Sequence, residues 1–244
     1  MTRANVTVET PDGTCAATLH TPAPDAAPAP GVIVYPDAVG VRETFSVLAD
    51  RLAALGYAVL LPDIYYRTPY EPFDAANLFG DLDRLRALAA LLTPDMAERD
   101  ATAYLDFLAA RPEVGGERFG TVGYCMGGRI ALLAAARNPD RIGAAASIHG
   151  GNLAPEGDAG SPASLAGRIT AAVHVAVAEN DPSFPADQYE RLETALTAAG
   201  VRHTIETYPG AHGFAVSDNP GYAAAADERH WAALAKLYAD ALPA

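Results

Sequence analysis

From residue 31 onward, short unbroken apolar runs alternate with longer stretches in which apolar residues return every three or four positions. Gly31–Tyr35, Tyr57–Leu61, Phe119–Val122, Ile142–Ile148, Ala172–Val177 and His203–Tyr208 are the short runs. Runs of this length, rich in branched residues and bounded by turn formers, are expected of strands buried on both faces. The amphipathic stretches predict helices over roughly Arg42–Leu55, Thr93–Ala110, Arg129–Ala136, Pro185–Ala199 and Tyr222–Leu242. Gly56 and Gly200 follow two of them as stops. Thr93-Pro94-Asp95 opens another with a hydroxyl cap, a first-turn proline and an acid near the positive end of the helix. Ahead of these, Val6–Glu9 and Cys15–His20 form a hairpin around Pro11-Asp12-Gly13. Ala23–Pro30 reads as a loop, and residues 64–80, aromatic and proline-containing, as an excursion off the sheet with short helical pieces. Strands alternating with helices imply a mainly parallel sheet covered on both faces, joined by right-handed crossovers. No repeat or long linker divides residues 1–244, so one α/β domain is expected.

The most informative segment is Gly123-Tyr124-Cys125-Met126-Gly127-Gly128, between the Phe119 strand and the Arg129 helix. A nucleophilic residue flanked by small residues between strand and helix is the pattern of a nucleophile elbow. Here the nucleophile is Cys125, and the free N–H groups and dipole of the following helix favour a thiolate. In parallel α/β sheets functional groups gather beyond the carboxyl ends of strands. Asp181 and His212 stand at two further strand ends, giving the chain order nucleophile, acid, histidine. The imidazole would move the proton and the carboxylate would fix its tautomer. The Met126 backbone N–H and one from the loop after Tyr35, at Ala38, would hold the oxyanion. Asp37 is either a turn residue or an influence on the thiol. His149 is a pocket residue or structural. Tyr65 and Tyr66 are packing residues or pocket wall, and Tyr124 and Phe214 are candidates for the substrate pocket. Cys15 is expected to be inert packing, and His20, His174, His203 and His230 structural or surface residues.

Charge narrows the partners. Lys plus Arg total 17 against 30 Asp plus Glu, a formal net charge of −13, which gives no general attraction to nucleic acid or anionic membranes. Two cysteines make no disulfide framework and no zinc-ligand spacing. The first residues lack a signal-peptide core, and no apolar run approaches the ~18 residues that span a bilayer. The expectation is a cytoplasmic monomer or homodimer acting on a small molecule, without cofactor or metal.

Tyr35-Pro36-Asp37-Ala38-Val39-Gly40-Val41-Arg42-Glu43, Leu61-Pro62-Asp63-Ile64-Tyr65-Tyr66-Arg67, Val122–Gly128, Asn180-Asp181 and Gly210-Ala211-His212-Gly213-Phe214-Ala215 together resemble the dienelactone hydrolase (carboxymethylenebutenolidase) family. The resemblance runs over nearly the whole chain. It implies a single-domain α/β hydrolase of about eight mainly parallel strands without a large cap domain. It also implies a Cys125–His212–Asp181 triad that cleaves carboxylic esters or lactones through a thioester. In the family a Glu near the nucleophile holds the thiol protonated at rest and takes its proton when substrate binds; the matching position here is Asp37, one methylene shorter. The family's carboxylate-binding arginine four residues past the histidine is matched by Val216. Arg42, Arg67 and Arg129 are the candidates to compensate, and a neutral lactone or short ester is as compatible as an anionic one. A thiol redox protein and a non-catalytic ligand-binding member of the fold are the competing functions.

Overall fold

The computed structural model describes residues 1–23, 27–73, 77 and 80–242. Parts of the expected 23–30 loop and of the 64–80 excursion, and the last two positions of the 1–244 domain, lie outside the described residues. Eight strands form one sheet: β1 (Thr2–Thr10), β2 (Gly13–Thr21), β3 (Ala29–Tyr35), β4 (Ala58–Pro62), β5 (Val114–Tyr124), β6 (Ile142–Ile148), β7 (Ala172–Ala178) and β8 (His203–Tyr208). Their order is β1-β2-β4-β3-β5-β6-β7-β8. The β1–β2 hairpin pairs antiparallel within itself and onto β4; β4, β3 and β5 through β8 run parallel. Every residue of β3, β4, β6 and β7 is buried, as their unbroken apolar sequence requires.

Among the described residues six α-helices cover the faces: α1 (Glu43–Ala54), α2 (Leu82–Ala89), α3 (Pro94–Ala109), α4 (Met126–Arg137), α5 (Ala186–Ala198) and α6 (Ala224–Ala241). On one side Phe45, Leu48 and Leu52 of α1 and Trp231, Leu234 and Tyr238 of α6 pack with Val34, Val59 and Val122 of the sheet. On the other, Tyr104 and Leu108 of α3, Leu132 of α4 and Leu192 and Leu196 of α5 pack with Ile33 and Val175. Each such large side chain contributes about 1.5–3 kcal/mol, an upper figure because the unfolded chain already buries some of it. Among the described residues no helix is long and apolar enough to cross a membrane.

The expected caps form. Thr93 Oγ1 accepts from the Met96 N–H at 3.3 Å with Pro94 in the first turn. Gly56 and Gly200 follow α1 and α5 with φ of +99° and +69°, a region that disfavours side chains. Several elements are longer than the sequence suggests. The hairpin strands reach Thr2 and Thr21, β5 starts at Val114, and α4 starts at Met126, directly after the cysteine. The 64–80 stretch departs as well: its described residues form turns and irregular chain, and the short helix of this region, α2, begins only at Leu82. Its start is fixed by Asp81, whose side chain accepts the Arg84 N–H at 2.9 Å.

Candidate active site

The elbow is shaped by close backbone approach. Cys125 has φ 55° and ψ −121°, a strained conformation for a side-chain-bearing residue. A Cβ on Gly123 would lie 1.8 Å from the Gly127 carbonyl oxygen, and one on Gly127 would lie 2.3 Å from Tyr35 O and 2.5 Å from Pro36 O. The turn from β5 into α4 therefore closes only with glycine at both places. Gly127→Ala is expected to cost about 3 kcal/mol or more, since backbone atoms cannot swing aside, and this outweighs the helix propensity gained. Urea unfolding measures it; an unchanged midpoint would contradict the packing.

Cys125 is half-buried at the mouth of this turn. Met126 is the first residue of α4, so its N–H has no acceptor within the helix. His212 lies in the loop after β8. Its Nδ1 is 2.6 Å from Oδ2 of Asp181, which follows β7 with its side chain almost fully buried. Ser183 holds the other carboxylate oxygen: its N–H and hydroxyl donate to Asp181 Oδ1 at 2.9 and 2.6 Å, and its Oγ lies 3.4 Å from His212 Nδ1. A Cβ on Gly151 would fall 2.5 Å from that Oγ, so the glycine leaves room for the serine. Sequence reasoning missed Ser183; the pattern Asp-Pro-Ser, with a hydroxyl two residues past the acid, was its only signal.

Electrostatics couple these groups. Burial works against a charged His212, but hydrogen bonds to Asp181 and Cys125 and the charges of both raise it to about 10. Burial also opposes ionisation of Asp181, yet the bond and charge of His212, with the Ser183 bonds, hold its carboxyl below the usual range. A cation beside Cys125 is the pairing that a thiolate nucleophile needs.

The remaining predicted residues divide. Ala38 stands in the loop after β3; its carbonyl accepts the Tyr65 hydroxyl at 2.9 Å, so Tyr65 braces that loop from a buried position. Val39 of the same loop packs on Leu85 of α2. Asp37 is buried and turns to Arg42: Nη1 and Nη2 donate to its two oxygens at 2.8 and 2.9 Å, and the Val39 N–H donates at 3.0 Å. Among the described residues no hydrogen bond joins Asp37 to Cys125. Tyr66 is away from the site, its hydroxyl bound to Thr10 and Asp100 at 2.5 and 2.9 Å. Tyr124 and Phe214 are fully buried. Alternation along β5 sends Tyr124 to the α1–α6 face, where it packs on Phe45 and its hydroxyl meets His230 at 3.3 Å. Phe214 is fully buried, stacked on Tyr208 with centroids 5.2 Å apart. His149 is brought to the elbow: its Nδ1 is 3.2 Å from the Cys125 backbone nitrogen.

The three arginines have carboxylate partners already. Arg42 also binds Asp218, from Nε and Nη2 at 2.7 and 2.8 Å. Arg67 is held by Asp12 and Asp100, and Arg129 by Asp158. Val216 is buried. Cys15 lies in the core with its sulfur 3.4 Å from the Asp63 carbonyl oxygen, its thiol pushed up to about 12 mainly by burial. Among the described residues no group of His, Cys, Asp and Glu is arranged to hold a metal ion.

An eight-stranded, mainly parallel sheet with a left-handed cysteine between β5 and α4 and an acid and a histidine after later strands defines the α/β-hydrolase class. Comparison with known proteins narrows the class. The profile of the dienelactone hydrolase family matches residues 16–242, and the chain belongs to that family, whose members hydrolyse lactones and esters. An Escherichia coli (strain K12) protein provisionally named a carboxymethylenebutenolidase is 32% identical over 211 residues, covering 84% of this chain and 74% of the relative. Its Synechocystis counterpart is 30% identical, covering 86% and 85%. Among solved structures, a provisionally named dienelactone hydrolase from Klebsiella pneumoniae superposes with a TM-score of 0.85 at 26% identity, covering 98% of each chain. A dienelactone hydrolase-like promiscuous phosphotriesterase from metagenomic libraries gives 0.78 at 28%, covering 99% of this chain and 100% of that one.

Proposed function

We propose that the chain cleaves carboxylic esters or lactones through a thioester formed on Cys125, with His212 as the proton carrier and Asp181 as the group that orients it. The observation that carries this reading is the His212 ring, bound at Nδ1 by a buried carboxylate and facing the elbow cysteine on its other side. The thiolate sulfur attacks the carbonyl carbon; a C–S bond forms and the carbonyl electron pair moves to oxygen. The N–H groups of Met126 and Ala38 receive that oxyanion. As the C–O bond breaks, protonated His212 gives its proton to the leaving oxygen. The sulfur in the thioester carries no charge, so one support of the cation is withdrawn; the ring, its proton already given up, stays neutral and serves as the general base that takes a proton from the attacking water. The resulting hydroxide attacks the thioester, the C–S bond breaks and the thiolate returns. In a lactone the leaving oxygen stays tethered to the acyl product.

Asp37 fits a supporting part best. Its bonds to Arg42 and to the Val39 N–H hold the loop that presents Ala38. To accept the thiol proton it would first have to leave Arg42.

The substrate is uncharged in this reading, because Arg42, Arg67 and Arg129 are all neutralised by carboxylates. The expected result is turnover of a short-chain aryl ester at least about tenfold above that of its ω-carboxylate analogue in kcat/KM, the penalty of an unpaired, partly desolvated charge. Steady-state assays of the matched pair test it. Turnover of neither ester would remove the hydrolase reading, and preference for the anion would remove the assignment of an uncharged substrate.

A further inference from the structure

His149 is a costly residue for a core position. It is 1% exposed, at the end of β6, with a left-handed φ of 40°. Its Nε2 has no hydrogen-bond partner among the described residues. A site that asked only for bulk would be better served by an apolar side chain, which leaves no polar atom unpaired. What the ring does instead is visible at its other nitrogen. The Cys125 N–H is shared between Ile148 O at 3.0 Å and His149 Nδ1 at 3.2 Å. Two side-chain-bearing residues with positive φ, one on β5's end and one on β6's, are thereby tied to each other. The same ring meets His212 edge to face, with centroids 5.2 Å apart at 64°, and Phe214 at 5.2 Å and 78°.

We infer that His149 is a positioning residue: its Nδ1 accepts the nucleophile's own backbone N–H, holding the strained cysteine in place, while its ring sets the seat of the His212 imidazole. Accepting at Nδ1 puts the ring proton on Nε2, so the ring must be neutral. Burial and the neighbouring His212 and His230 all press it that way, with Asp181 pulling weakly in the opposite direction. The Tyr124 ring also packs beside it, with centroids 6.0 Å apart. A cationic His149 would offer Cys125 a second donor in place of an acceptor. The inference rests on Cys125 being the nucleophile.

The test compares His149→Phe, which keeps a ring but loses the acceptor, with His149→Asn, whose amide oxygen reaches the position of Nδ1 and which tolerates positive φ. Three quantities are measured: kcat and KM on the neutral aryl ester, the rate of Cys125 alkylation by iodoacetamide, and the melting temperature. Expected are a fall of about tenfold or more in kcat and a slowed alkylation for the Phe variant, with KM little changed, and recovery to within about threefold of wild type for Asn. If the Phe protein does not fold, His149→Gln, which moves the amide one bond outward, takes its place and the same split is expected. Unchanged kcat in the variant lacking the acceptor, or equal losses in both variants that track melting temperature, would overturn the inference. Cys125→Ala assayed alongside separates the two levels: full turnover there defeats the nucleophile assignment itself, whereas its loss together with an unaffected Phe variant defeats only the role of His149.

Discussion

Cys125→Ala lowers turnover of a short neutral ester by about four orders of magnitude or more, while the protein folds as before. The size follows from what is lost: without sulfur no covalent intermediate forms, and the groups left behind act as one unit whose members are worth little alone. Folding is spared because the cysteine's contribution to the elbow is main-chain. The tight contacts are those of Gly123 and Gly127, and alanine retains the N–H that reaches Ile148 and His149. Steady-state kinetics with circular dichroism make the comparison. A variant that retained turnover near the wild-type level would show that the elbow sulfur is a bystander.

His212→Asn is expected to lower kcat/KM by about three orders of magnitude, since it removes the proton carrier and leaves the buried Asp181 without its partner. The wild-type pH profile supplies a second readout. With the ring raised to about 10, kcat/KM should hold through neutral pH and fall only near pH 10, where the proton for the leaving oxygen is lost. A free histidine would give a limb near its ordinary value of about 6.5. The same shift acts on stability. The folded-state value lies above the unfolded one, so the stabilisation is complete below about pH 6.5 and drains away as pH rises through 10. Asp181 works in reverse: its lowered carboxyl stabilises above the ordinary carboxylate range and stops doing so as pH falls through its folded value. An alkaline limb at neutral pH would mean that the ring is not paired as described.

Legibility in the sequence followed the range of the interaction responsible. The buried strands and the elbow were readable because they depend on neighbouring residues: apolar runs, caps and flanking glycines. The positions of Asp181 and His212 at strand ends were readable from chain order and the rule for parallel sheets. Partner choice was not. Asp37 and Arg42 are only five positions apart, but that Arg42 is also tied to Asp218 depends on residues 176 positions apart meeting across two loops. Closeness in sequence to Cys125 likewise says nothing about which side of the sheet the Tyr124 ring enters, and it packs on Phe45. α2 was missed because its pattern is short and its start signal, Asp81, is a lone capping residue.

The loop that carries Ala38 leans on Leu85 of α2 and on the hydroxyl of Tyr65, both from the stretch between β4 and α3, whereas the sulfur, the acid and the imidazole follow β5, β7 and β8. The proposed triad and the braces of the Ala38 loop are thus encoded on separate parts of the gene. An exchange of that stretch would leave the proposed sulfur, acid and imidazole on their own strands while removing the brace of the loop that carries Ala38.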